Sequence, residues 1–112
     1  MYDAVSVHTV SADENAASNG LISNGVATVL YLHKAVLTGD GSNAVLADVY
    51  DDINVSNSAT IKVSMNTSEV SDAGQYERMI TLDFNPPIAF NKGVSSNLTG
   101  NTATLRLYYT RS

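Results

Sequence analysis

From Thr60 to Asn66 the chain reads Thr-Ile-Lys-Val-Ser-Met-Asn, with an apolar residue at every second position. A period of two puts Ile61, Val63 and Met65 on one face of an extended strand, with Lys62, Ser64 and Asn66 on the other. A helix would scatter the same side chains around its circumference. This short alternation recurs along the chain, always bounded by turn residues, and it limits the chain to a β fold. In Ala4 to Val10, Val5 and Val7 share one face and Ser6 and His8 the other. In Ala44 to Tyr50, Val45, Ala47 and Val49 oppose Leu46, Asp48 and Tyr50. In Tyr76 to Phe84, Ile80, Leu82 and Phe84 point inward. Val26 to Leu37 is apolar on both faces in places, so it is expected to be central or bent by a bulge.

The connecting residues fit this pattern. SNGLISNG, Ser18 to Gly25, is expected to be a loop with Leu21 and Ile22 tucked inward. TGDGSN, Thr38 to Asn43, predicts a tight hairpin, because Asp-Gly tolerates the positive φ angles such a turn needs. Asp51 to Ser58 and Thr67 to Gln75 are polar connections. Pro86 and Pro87 are expected to end one strand and set the entry to the next, in which Ile88 and Phe90 are the apolar residues. Gly93 and Gly100 are expected to turn the chain on either side of Val94 to Leu98. Ala103, Leu105, Leu107 and Tyr109 then form the inward face of a last strand, with Arg106 and Tyr108 opposite. Ser11 to Ser18 lacks large apolar residues; it is either an exposed loop, the favoured reading, or a helical turn capped by Ser11 with Glu14 at N3. About eight strands spaced roughly 8–12 residues apart predict an all-β fold, a single antiparallel β-sandwich or jelly-roll-like domain over residues 1–112. Residues 1–10 would be an edge strand or an N-terminal arm.

Composition narrows the function classes. The chain has 112 residues and no Cys, so disulfides and thiolate metal sites are excluded. Charged residues are only 15%, and Asn, Ser and Thr carry the polar surface instead. A partner covers such a surface at low cost, since few charges lose their water. Net charge is −5, unevenly placed: residues 1–52 hold seven acids against Lys34 alone, residues 53–112 four acids against five bases. An acidic half argues against nucleic acid, which attracts a basic stripe. No apolar run approaches the roughly 18 residues of a membrane helix, so no membrane partner is expected. MYDAVSVHTV has no basic n-region and no continuous apolar run, so a secretory signal is not expected.

The residue types that carry chemistry are not arranged for it. His8 and His33 lie on different strands, with no third or fourth metal ligand in reach by spacing. Asp48, Asp51 and Asp52 lack the closely spaced oxygens and the Gly of a calcium loop, and Asp40 suits a turn better than a ligand set. No GxSxG elbow or Gly-rich phosphate loop occurs, and Glu77 beside Arg78 has the look of an exposed pair. No catalytic, metal or cofactor residue is therefore assigned, and the chain is not expected to be an enzyme. Asn66-Thr67-Ser68 and Asn97-Leu98-Thr99 match the glycosylation sequon by chance in an Asn- and Thr-rich chain. The six tyrosines suit structure or an interface, where they supply area with a polar handle.

The C-terminal part resembles small β-sandwich virion proteins of tailed bacteriophages, which decorate capsids or build tails and fibres. The matching residues are Ile80-Thr-Leu82-Asp-Phe84, Pro87-Ile88-Ala89-Phe90, Lys92-Gly93, Thr99-Gly100-Asn101 and Ala103 to Tyr109, preceded by Val45 to Tyr50 and Asp51. The resemblance spans Val26 to Tyr109 and departs at polar Ser95-Ser96, where members carry an apolar residue. Its fold motif here is Pro86, Pro87, Phe90, Gly93, Gly100 and Tyr109. It implies a virion structural protein assembled in the host cytoplasm: a capsid decoration (cement) protein that binds the major capsid protein as a homo-oligomer, a trimer, and stabilises the shell. Tyr2, Val5, Val7 and Val10 would then be contact residues that add a strand to a neighbour. A tail, fibre or head-fibre component is the alternative, and a carbohydrate- or receptor-binding module the next.

Overall fold

The computed structural model describes residues 5–22, 29–70, 74–100 and 102–111. Seven strands occur among them: β1 (Ser6–Val10), β2 (Leu30–Thr38), β3 (Leu46–Asp51), β4 (Ile61–Asn66), β5 (Met79–Phe90), β6 (Val94–Thr99) and β7 (Thr104–Arg111). One helical turn, α1 (Ala16–Asn19), and one 3-10 turn at Ser58–Thr60 complete the described elements. The strands form two antiparallel sheets, ordered β1-β7-β2-β5 and β4-β3-β6. This is the all-β sandwich that the alternation predicts.

The core lies between the sheets. Leu30, Leu32, Leu37, Phe90, Leu105 and Leu107 from the first sheet meet Ala47, Val49, Val63 and Met65 from the second. Each group sits on one face of its strand, as period-two spacing requires. β2 is the exception that explains itself. Leu32 pairs with Tyr109 and Lys34 with Tyr108, so His33 is one residue extra against β7. A bulge there switches the inward residues from Leu30 and Leu32 to Ala35 and Leu37. The expected bulge thus accounts for an apolar pattern that occupies both faces.

The proline pair behaves differently from expectation. β5 runs unbroken from Met79 to Phe90, through Pro86 and Pro87. Leu32 pairs with Ile88 and Lys34 with Asp83, so Phe84 to Pro87 form an excursion that β2 does not match. It contains the cis Asn85–Pro86 bond. Because β5 is the edge of its sheet, the missing proline N–H groups leave no ladder partner unsatisfied.

Other expectations are corrected as well. Thr38 to Asn43 is no tight hairpin: β2 and β3 belong to different sheets, and the segment crosses between them. Gly41 still takes the positive φ of 85° that Asp-Gly signals. The helical turn starts at Ala16 with Asn15 as N-cap, and Glu14 instead bridges Ser96 of β6. Leu21 is buried, but Ile22 is exposed. Gly93 does not take a positive φ; close packing, not turn geometry, selects it. The start of the expected Val26 strand and Ala4 lie outside the described residues.

Ser95 and Ser96, the departure from the family pattern, are both fully buried on β6. Ser95 Oγ accepts from Ala16 N–H at 2.9 Å and donates to the Asp52 carbonyl at 2.7 Å. Ser96 Oγ has no hydrogen-bond partner among the described residues. A buried hydroxyl without a partner costs about 1–3 kcal/mol. Ser96→Ala should therefore leave the melting temperature unchanged or raise it, while Ser95→Ala lowers it. Calorimetry of the two variants checks the contrast, and a Ser96→Ala protein as damaged as Ser95→Ala would refute it.

Candidate docking face

The outer face of the first sheet carries the side chains that alternate with its core residues; Val5, Val7 and Arg106 are exposed there, Tyr108 and Lys34 half-buried, Val36 and Thr110 buried. Leu105 and Leu107 point inward, so Arg106 and Tyr108 point outward. β1 pairs Val7 with Tyr108 and Thr9 with Arg106, which places Val7, Thr9 and Val5 on that outer face. Lys34, put outward by the bulge, pairs with Tyr108 on one side and Asp83 on the other. One row of the face thus reads Val7, Tyr108, Lys34, Asp83. Within it, Lys34 Nζ lies 5.7 Å from the centre of the Tyr108 ring and 3.8 Å from Asp83 Oδ1. Beside this row, His33 Nε2 lies 2.8 Å from Thr110 Oγ1.

Val5 and Val7 are 56% and 52% exposed, and the row beside them is nearly neutral because Lys34 already faces Asp83. Covering it removes apolar surface from water without stripping an isolated charge. Arg106 is the face's remaining cation, exposed and without an ion pair among the described residues.

The sheet edges differ in how they are closed. The β5 edge carries Pro86, Pro87 and the excursion. The β6 edge is covered by residues 13–22: Glu14 and Ser96 exchange backbone hydrogen bonds of 2.8 and 2.9 Å, Val94 N–H donates to Leu21 at 2.8 Å, and Leu98 N–H donates to Asp13 Oδ1 at 2.8 Å. The β4 edge carries exposed Lys62, a common guard against edge pairing. β1 has no Lys, no Pro and no bulge, and among the described residues its only strand neighbour is β7.

The residues singled out by sequence fall in several places. Val5 and Val7 belong to the face. Val10 does not: it is fully buried in the core opposite Leu105, because it follows His8 on the inward side of β1. Tyr2 lies outside the described residues. His8 Nε2 sits 2.7 Å from Glu14 Oε1, which also accepts from Asn19 Nδ2 at 2.9 Å, so the pair ties β1 to the segment over β6. Asp51 Oδ1 accepts from Asn91 and Lys92 N–H, and Asp48 Oδ1 from the Ser64 hydroxyl. Asp40 Oδ1 accepts from the N–H and hydroxyl of Ser42, which hold its carboxyl below the usual carboxylate range. These acids hold a turn, a strand end and a cross-strand pair. No group of three or more metal-ligating side chains occurs among the described residues, and their surface forms no pocket. Alternation puts Tyr108 and Asp83 on the outward side of their strands, but only the bulge in β2 brings Lys34 into their row. Comparison with protein-family models found no match to this chain, and comparison with curated proteins found none either.

Proposed function

We propose that this chain is a structural protein of a bacteriophage virion, a capsid decoration protein that docks on the major capsid protein and stiffens the shell. The observation that carries the proposal is the outer face of the first sheet, where exposed Val5 and Val7 continue into Tyr108 and a self-neutralised Lys34–Asp83 pair. Such a face suits broad, weakly charged contact with another protein. The resemblance of Ile80 to Tyr109 to virion modules supplies the class of partner.

The test is co-sedimentation with empty shells assembled from a major capsid protein encoded in the same genome. Saturable binding and a higher shell melting temperature are expected. Tyr108→Ala should weaken binding on the order of 30-fold, the effect of losing an aromatic anchor worth about 2 kcal/mol. No binding to shells, or binding that Tyr108→Ala and Arg106→Glu leave unchanged, overturns the proposal. Incorporation into tails instead points to the tail or fibre role.

A further inference from the structure

The edge of β1 away from β7, which has no strand partner among the described residues, is complementary to itself, and we infer that two copies of this chain pair through it, antiparallel about a two-fold axis at Val7. The edge is preformed: Val10 is locked in the core and His8 is held by Glu14, so β1 need not leave its own sheet to pair. Its residues from Val5 to Val10 include Val5, Val7, Thr9 and Val10, β-branched side chains that favour pleated pairing. None of them is Lys, Arg, Asp or Glu.

Side-chain chemistry selects the register. With Val7 opposite Val7, Thr9 faces Val5 of the second copy on the outer face, and His8 faces Ser6 on the inner one. All residues from Val5 to Thr9 then have partners. Centring on His8 instead would set two imidazoles against each other. Centring on Thr9 would set Val5 across from Asp13 and bring the two Arg106 side chains into one row. In the Val7 register Arg106 shares its row with Thr9 and Val5, and the two Lys34 side chains stand five strand spacings apart, roughly 24 Å. That exceeds the Debye length of about 8 Å at physiological salt.

The same geometry explains why the assembly stops at two. The joined sheet has the order β5-β2-β7-β1-β1-β7-β2-β5. Both of its new ends are β5, guarded by Pro86 and Pro87. The two outer faces merge into one, with the four exposed valines at its centre. This differs from the trimer implied by the family resemblance, and it stands whether or not the chain docks on a capsid.

Light scattering on the purified chain should give about twice its 11.9 kDa mass at high concentration. Val7→Lys, which leaves the inward face of β1 untouched, should halve that mass with no change in circular dichroism. The chain has no Cys, so single cysteines report the register. Val7→Cys should oxidise to a disulfide-linked dimer, since facing Cβ atoms lie roughly 4.5–5.5 Å apart and need only a small approach. Thr9→Cys should not, because its symmetry mate is displaced by four residues, about 13 Å. A mixture of Val5→Cys and Thr9→Cys should cross-link. A monomer at every concentration, a trimer, or cross-linking through Thr9→Cys as readily as through Val7→Cys overturns the inference.

Discussion

Replacing Phe90 with alanine is expected to remove about 3–5 kcal/mol of stability, the usual effect of deleting a buried phenyl ring. Phe90 has no exposed surface and ends β5 opposite Leu30, between the two sheets. Its loss removes the ring's burial and leaves a cavity that neighbouring strands, held in register by their ladders, cannot close. Domains of this size have only about 5–15 kcal/mol in total, so the variant should melt on the order of 15 °C lower or fail to fold at working temperature. Met79→Ala is the control on the same strand. Met79 is 61% exposed, and its truncation should stay within about 0.5 kcal/mol. Urea unfolding of both variants measures the difference. Comparable, small losses would mean that Phe90 does not anchor the core as its burial implies.

The inward faces were legible because alternation depends only on the local backbone. Ile61, Val63 and Met65, or Leu105 and Leu107, point inward whatever sheet their strand joins. Sheet membership was not legible. Whether β3 pairs with β2 or crosses to the second sheet depends on contacts between residues far apart in the chain, and the Asp-Gly turn signal at Asp40–Gly41 is the same in either case. The proline pair misled for a related reason. Proline forbids a ladder hydrogen bond only where a partner strand waits for it, and the edge position of β5 removes that partner.

The candidate face was half legible. Val5 and Val7 stood out as apolar residues on one side of a short strand, and they are exposed. Val10, expected as a contact residue with them, is sent by parity to the opposite face. The row through Tyr108, Lys34 and Asp83 joins β1, β7, β2 and β5, and no local pattern spans four strands. The covering of the β6 edge was hidden in the same way, since Ser11 to Ser18 carries no strand signal of its own and pairs through Glu14 alone.

That covering rests on one glycine. A Cβ on Gly93 would lie 2.7 Å from the Ala16 Cβ, 3.1 Å from the Leu21 carbonyl oxygen and 3.3 Å from the Asp52 carbonyl oxygen. None of these atoms can rotate away, so Gly93→Ala must push the segment carrying Ala16 and Leu21 off β6. The bonds from Ala16 N–H to Ser95 Oγ and from Val94 N–H to the Leu21 carbonyl stretch with it. Overpacking of this kind costs about 1–3 kcal/mol, and strained hydrogen bonds add to it. The variant also uncovers the β6 edge, so it should associate beyond the β1 pair and lose solubility on warming. Ala16→Gly removes the nearest colliding atom. Combined with Gly93→Ala it should recover part of the loss, with a coupling of about 0.5–3 kcal/mol in a double-mutant cycle. If the two substitutions simply add, the 2.7 Å approach is not what damages Gly93→Ala, and the β6 edge is held by the remaining backbone pairs instead.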